Sequence, residues 1–537
     1  LPEDATNTTT AADAQDGTVG TRVLTGRTRI LANPVEPTAE TIVDAISKAT
    51  VVHSANASDE AYLHNYFLGR QPVLHRKKSV RPEILSHVVE NRAYQIAKDR
   101  ADALAGEPIM YSAHGTGSDG DDETLSGSVQ ALNDACVMAD KHACDVELMQ
   151  WMVECGVGYR LVLPTAEVRD PDPRRPFAVC SLDPRSTFVV YENGVFREPL
   201  WAATYVRDAE TGEAIYTAYT RHRVFVVRSG VVESERENPL GIVPIVEYDC
   251  NPERMGVFEP ALALLDAINE VESNRVDGIA QFVQSLMVLK NVDMDAETFR
   301  DMLSLGAVMI SSTPDQQAGV DLLTAELNQD QAQTLVDSLY KTVLTICGMP
   351  FNVGGSASTS DTGVAVTMRD GWSNSENRCK ETEVMFKRAE RRFLDIALSI
   401  MDATSHLGLS SGDVEIKFTR RNYEAIQSKT QVLTTLLGSG KVAPRLAFQV
   451  CGIFNDPEDA YDQSRRYVDE QRELALSVAR ANPVPAGDEA NPAGDGGGDS
   501  RPATGDAGGG EGDGGGDSAT AQRMRPASTK RSARKGE

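Results

Sequence analysis

No stretch of this 537-residue chain approaches the roughly 20 consecutive apolar residues that a membrane helix needs. Its opening, LPEDATNTTTAADAQDG, is polar and acidic, which excludes a signal peptide as its reading; with Leu rather than Met at position 1, processing or trimming is expected. A soluble product assembled in a host cytoplasm is the expectation. None of the eight cysteines forms a C-x-x-C pair, so buried reduced thiols are expected rather than zinc ligands or a disulfide framework. The eight histidines make no H-E-x-x-H, and His64 and His75 read as ordinary surface residues. LLGSGKV (436–442) looks like the end of a phosphate-binding loop, yet Thr435 stands where a glycine is required and Val442 where a hydroxyl is. It reads as a turn between helices. With no nucleophile elbow either, catalysis, metal and cofactor are not expected.

Positive charge is also in deficit. There are 79 acidic against 53 basic residues, a net charge of −26, and arginine outnumbers lysine. Such a balance argues against a tight DNA binder, whose footprint is basic. At molar salt the Debye length falls to about 3 Å and the charge repels itself little, so a virus of an extreme halophile is one expected source and a high-GC mesophile the other.

What is present is an ordered alternation of segments. Residues 1–49 are rich in Thr, Ala and Asp and read as a flexible arm. A helix ends at Gly69, a second is expected over 81–105, and 115–128 reads as a loop. That loop's Asp119, Asp121, Asp122 and Glu123 lack the register and terminal Glu of a calcium loop. A helix over 129–155 precedes a β-meander with turns at Asn193-Gly194, DAETG (208–212) and Ser229-Gly230. One helix of roughly 50 Å is expected over 258–289. Next come a mixed insert, with a helix near 296–303 and the strand AVMIS, and a helix over 330–347. The Gly/Ser/Thr loop Phe351–Gly363 leads to a helix over 364–403 with Met385, Ala389, Phe393, Ile396 and Ile400 on one stripe. A lone strand at 414–418, two or three helices to 476 and a disordered tail beyond 482 complete the chain.

The series YFLGRQPVLHRKK, VENRAYQIAKDRADALAGEPIMY, AVCSLDPRSTFVVYENG and NPLGIVPIVEYDCNPERMGVFEPALALLDAINEVES, with SDTGVAV before the third long helix, resembles the siphophage-type portal proteins of tailed double-stranded DNA viruses. The likeness covers about 62–421; Gly371 and the length of the tail depart from the pattern.

The resemblance implies an α+β portal fold. After the arm at 1–49, a mixed wing with an antiparallel β-meander takes in 50–256 and, as a long helix and strand, 364–420. Stem helices fall at 257–289 and 328–348, a small α/β clip at 290–327, a tunnel loop at 349–363, a helical crown at 421–481 and a tail at 482–537. It implies a ring, usually dodecameric, at one capsid vertex, with no catalysis of its own. Implied partners are further copies of itself, large terminase, head–tail adaptor, major capsid protein and the double-stranded DNA in its channel, with no membrane. Asn352, Gly354, Gly355, Ser356, Ser358, Thr359 and Ser360 would line the constriction without a cation. Arg523, Arg525, Lys530, Arg531, Arg534 and Lys535 form a basic tail tip that would touch DNA or a scaffold protein, or simply solubilise the tail. An adaptor or capsid subunit is the competing structural reading.

Overall fold

A computed structural model describes residues 20–79, 82–113, 122–168, 171–172, 174–283, 286–290, 319–323, 329–350, 372–418, 426–454 and 457–481. In chain order the elements are β1 (Ile30–Ala32), α1 (Ile42–Phe67), α2 (Arg92–Ala105), β2 (Ile109–Ala113), α3 (Asp122–Met138), α4 (Lys141–Cys155), β3 (Val157–Pro164), β4 (Phe177–Leu182), β5 (Thr187–Glu192), β6 (Pro199–Arg207), β7 (Ala214–Thr220), β8 (Arg223–Arg228), β9 (Val231–Glu237) and β10 (Ile245–Asp249). There follow α5 (Leu262–Val283), β11 (Leu286–Lys290), β12 (Gly319–Leu323), α6 (Gln329–Cys347), α7 (Trp372–Ser405), β13 (Val414–Phe418), α8 (Ile426–Gly438), α9 (Pro444–Cys451) and α10 (Pro457–Ala481). The chain divides into two units, 1–466 and 467–537; the described part of the second is the C-terminal part of α10.

The architecture is α+β. A six-stranded sheet runs β1-β5-β6-β7-β8-β9, antiparallel except for the β1–β5 pair, and a three-stranded sheet runs β10-β3-β4. Two-stranded pairs join β13 to β2 and β11 to β12. The meander expected from the sequence is the larger sheet. Its Ser229-Gly230 turn has φ of 50° and 76°, the left-handed pair that matches the twist of adjoining strands. The other expected hairpin differs. Between β5 and β6 the chain takes residues 193–198, because the Asn193 N–H is captured by the Ala32 carbonyl of β1 at 2.7 Å and Glu192 closes onto Glu198 at 2.9 Å.

Residues 20–49 are not a loose arm. Ile30, Ile42, Ile46 and Ala49 are buried with Phe188, Trp201 and Phe225 on the larger sheet, and Arg27 is buried too. Composition concealed this because the buried positions are widely spaced. The second helix begins at Arg92, not 81, since Asn91 caps it through Tyr94 N–H and 85–91 form no helix. The 115–128 loop gives way to helix at Asp122, and the helix expected over 129–155 is broken at Asp140, whose φ of 51° is left-handed. Helix α5 stops at Val283, so it is about 33 Å long. Leu286–Lys290 instead pairs with Gly319–Leu323, because a short apolar run finds a ladder partner across the insert. The expected helix near 296–303 and strand AVMIS lie outside the described residues, as does 364–371 of the third long helix, which is described from Trp372. In the LLGSGKV segment 436–438 end α8 and 439–442 make the turn toward α9. Cys180 is exposed while the other seven cysteines are buried, and all eight are free.

Candidate functional site

The helix–ribbon–helix α5-β11/β12-α6 is the feature that the sequence reading placed at the functional end. The helices pack through Leu262, Leu265 and Ile268 against Val336, Val343 and Leu344 in the main core. Across the pair, the Arg275 guanidinium donates to Gln329 at 3.1 Å, Gln333 at 2.9 Å and Glu272 at 2.6 Å. The outer face of α6 exposes Thr334, Ser338, Thr342 and Thr345. Three of these hydroxyls turn back on their own helix, Thr334 to the Asp330 carbonyl at 2.8 Å, Thr342 to Ser338 at 3.0 Å and Thr345 to Lys341 at 2.9 Å. A hydroxyl-rich face results, with exposed Lys341, Leu335 and Ile346 beside it.

Helix α5 is gripped on its other side by residues 71–79 and 82–91. Asn269, Ser273 and Asp277, all buried and each one turn apart, accept the N–H groups of Glu90 (2.8 Å), Val88 (3.0 Å) and Ser86 (2.7 Å). The bonds thus recur at every second residue of the segment and every fourth residue of the helix. The Arg76 guanidinium adds bonds to Glu270 (3.1 Å), Asp277 (3.0 Å), Asn274 and the Ser86 carbonyl (3.0 Å). A cavity of about 370 Å³ lies beside this strap, lined by Val88, Glu90, Arg92, Glu272, Arg275 and Tyr340 among others. Both of its guanidiniums are paired, Arg92 with Glu90 and Arg275 with Glu272. It presents no free nucleophile or base.

The strongest cluster of ionisable groups is closed rather than open. Glu390 of α7 accepts from Tyr111 (2.6 Å), Tyr248 (2.6 Å), Arg160 (2.9 Å) and Lys141 (2.9 Å), and Asp145 neutralises the remaining cation. Burial pushes the Glu390 carboxyl up, but the two cations and two phenols outweigh it and hold it at about 2. Tyr111 and Tyr248 are pushed well above the ordinary phenol range by burial and by the Glu390 charge. Two cations, two carboxylates and two phenols pair with one another with no solvent approach, leaving only the Arg160 Nε of the set without a hydrogen-bond partner, so the cluster joins five elements and has no room for a substrate.

A second junction is made of glycines. Gly26, Gly156 and Gly256 stand where three backbones cross: Cys250 donates to the Gly156 carbonyl (2.9 Å), Val257 to Val153 (2.8 Å) and Arg27 to Arg254 (3.1 Å). Glu259 accepts from Gly26 N–H (3.1 Å), Gly256 N–H (2.8 Å) and Arg27 (2.9 Å). Nearby, Glu60 is 1% exposed and its Oε2 has no hydrogen-bond partner. Desolvation raises it well above the carboxylate range, with Arg27 and Arg254 only partly opposing. Its contribution to stability is therefore complete below about 4.3, the unfolded value, and is lost as pH rises toward the folded one. Glu60→Gln is expected to stabilise the protein by about 1 kcal/mol at pH 8 and to change nothing at pH 4. Urea unfolding at the two pH values checks this; equal effects at both would refute the assignment.

Asn352, Gly354, Gly355, Ser356, Ser358, Thr359 and Ser360 lie outside the described residues, as do Arg523, Arg525, Lys530, Arg531, Arg534 and Lys535, Asp119 and Asp121, and the side chains of Asp122 and Glu123. His64 is not an ordinary surface residue: its Nδ1 lies 2.8 Å from Glu154 and its ring packs on Trp151. Sequence reasoning missed the hydroxyl face, the strap and the Glu390 cluster. Among the described residues no group of three or more His, Cys, Asp or Glu side chains is placed to hold a metal ion, and no helix is long and apolar enough to cross a membrane.

The family model described as "Phage portal protein, SPP1 Gp6-like" matches residues 53–475. A curated "Portal protein" of Bacillus phage SPP1 is 30% identical over 122 residues, 22% of this chain. The match spans 24% of that relative's length.

Proposed function

The chain belongs to the SPP1 Gp6-like phage portal family, and from that premise we propose that it assembles into a ring, dodecameric as the resemblance implies, around a DNA channel at one capsid vertex. The family is a structural one, and the proposed role is a conduit that leaves nucleotide hydrolysis to a partner. The observation that carries the reading is the family match across 53–475, within which two long helices flank a ribbon.

In this reading α5 and α6 are the stem, and β11, β12 and the residues between them the clip, where large terminase docks during packaging and the head–tail adaptor afterwards. Residues 50–256 and 364–420 form the wing, and 421–481 the crown. The major capsid protein surrounds the ring. The hydroxyl face of α6 suits a channel, because Thr and Ser side chains bonded to their own helix offer a passing phosphate no fixed charge. A single tight phosphate contact repeated around a ring would give steep salt dependence and hold the duplex. The loop residues Asn352, Gly354, Gly355, Ser356, Ser358, Thr359 and Ser360 are proposed for the constriction on the same ground. The tail tip from Arg523 to Lys535 is proposed to meet DNA or scaffold.

Negative-stain microscopy of the purified chain is expected to show rings with a central hole. Monomers at micromolar concentration, or closed shells, would count against the portal reading and favour an adaptor or capsid subunit.

A further inference from the structure

We propose that the strap formed by 71–79 and 82–91 is a splint that holds the first part of α5 rigid through Asp277, and that Gly278, the next residue, is a hinge about which the end of the helix and the β11/β12 ribbon swing. The inference goes beyond the portal reading and does not need it.

The grip is dense through Asp277. Along α5 the side chains tied to the strap are Asn269, Glu270, Ser273, Asn274 and Asp277, which cover two turns of one face. The Arg76 guanidinium alone reaches Glu270, Asn274 and Asp277, spaced i, i+4 and i+7, so it cannot follow a bend within that span without breaking a bond. Lys78 places a second cation on Asp277 at 3.3 Å. On the partner helix, Arg275 fixes the same stretch to Gln329 and Gln333. The three residues after Asp277, Gly278, Ile279 and Ala280, carry no polar side chain to tie to the strap. Gly278 follows inside the helix, and Ile279 is 49% exposed. A helical glycine is the costliest ordinary residue to hold in place. Five residues later α5 ends, and β11 begins at Leu286.

A splint followed at once by a glycine confines bending to one place. The wing and the strapped part of α5 move as one body, and the ribbon is carried at the end of a short lever. Such a lever lets one docking element present itself at different angles without repacking the core. That is a requirement for any segment serving partners of unlike shape in turn.

Hydrogen–deuterium exchange on the full chain tests this, with all variants compared in one oligomeric state. The wild type is expected to show a step at Gly278, amides of 279–283 exchanging at least about tenfold faster than those of 269–277, a spread ordinary for sub-global opening. Gly278→Ala is expected to slow exchange at 279–283 by about fivefold and leave 269–277 unchanged. Arg76→Gln is expected to speed exchange at 269–277 together with the amides of Ser86, Val88 and Glu90. Should Arg76→Gln not fold, Asn274→Ala, at an exposed partner of the same guanidinium, makes the same test. A smooth gradient toward Val283 instead of a step would mean simple end fraying and would overturn the hinge. No change on Gly278→Ala would do the same, and unchanged exchange at 269–277 on loss of the Arg76 bonds would overturn the splint. Exchange needs neither ring nor DNA, so its failure is distinct from the absence of rings by microscopy.

Discussion

Gly156→Ala is expected to leave the chain without a soluble folded state. Gly156 has φ of +84°, a conformation disfavoured for any residue with a Cβ. The added Cβ would sit 2.3 Å from the Arg254 carbonyl oxygen, 2.5 Å from its carbon and 2.7 Å from the Met255 carbonyl carbon. These are backbone atoms held by hydrogen bonds on both sides, so no rotamer change relieves the overlap. The crossing has no slack elsewhere: a Cβ at Gly256 would meet the Glu154 carbonyl oxygen at 2.2 Å, and one at Gly26 the Glu253 oxygen at 2.0 Å. Separating the strands would also unseat Glu259 from its two backbone donors. The combined strain exceeds about 4 kcal/mol, a large part of the roughly 5–15 kcal/mol by which domains are stable. Gly127→Ala is the control: its Cβ would meet nothing within 4 Å on an exposed turn of α3, and it is expected to be neutral or to stabilise by about 1 kcal/mol. Soluble yield and thermal melting decide the matter. A Gly156→Ala protein that melts within two or so degrees of wild type would refute the crossing.

Glu390→Gln carries the second large effect. It leaves Lys141 and Arg160 buried with one carboxylate, Asp145, between them; removing a partner from such a set costs about 3–5 kcal/mol. The pH dependence has a definite sign. Glu390 is held at about 2, below its unfolded value of about 4.3, so its stabilisation is present above the unfolded value and is lost as pH falls through about 2. Wild type is therefore expected to lose stability between about pH 4.5 and 2 from this group, whereas the variant starts lower and falls less over that interval. Arg160→Met should destabilise as well, because it strands two carboxylates beside one ammonium. Denaturant unfolding at pH 7 and pH 3 separates the outcomes. A Glu390→Gln protein within about 1 kcal/mol of wild type at pH 7 would show that the cluster contributes little.

Where local pattern and tertiary need agreed, the fold was legible in advance. The meander from Thr187 to Glu237, the left-handed Ser229-Gly230 turn, the helix ending before Gly348 and the alternating strand Val414–Phe418 all follow from period and turn chemistry. The failures share a cause. Residues 85–90 stay out of the helix as the N–H groups of Ser86, Val88 and Glu90 find side chains on α5, a partner about 180 positions away that no local window includes. Leu286–Lys290 satisfies helix and strand patterns alike, and only the distant Gly319–Leu323 chooses between them. Glu390 did leave a signal, a carboxylate in line with Phe386, Phe393 and Ala397 on the buried stripe of α7. A charge at such a place must have a partner, but nothing nearby in the chain names Arg160 or Lys141. The hydroxyl face of α6 was readable as a four-residue recurrence of Ser and Thr; its meaning needed the helix's neighbours.

The uneven burial of the cysteines has a practical consequence. Seven thiols lie within the packed interior, while Cys180 sits exposed on β4, which the sheet order places at an edge. Each copy of the chain thus carries one sulfur addressable in the native state. A maleimide dye or heavy atom added under native conditions would mark every subunit once, so counting labels per particle would count subunits without any engineered residue.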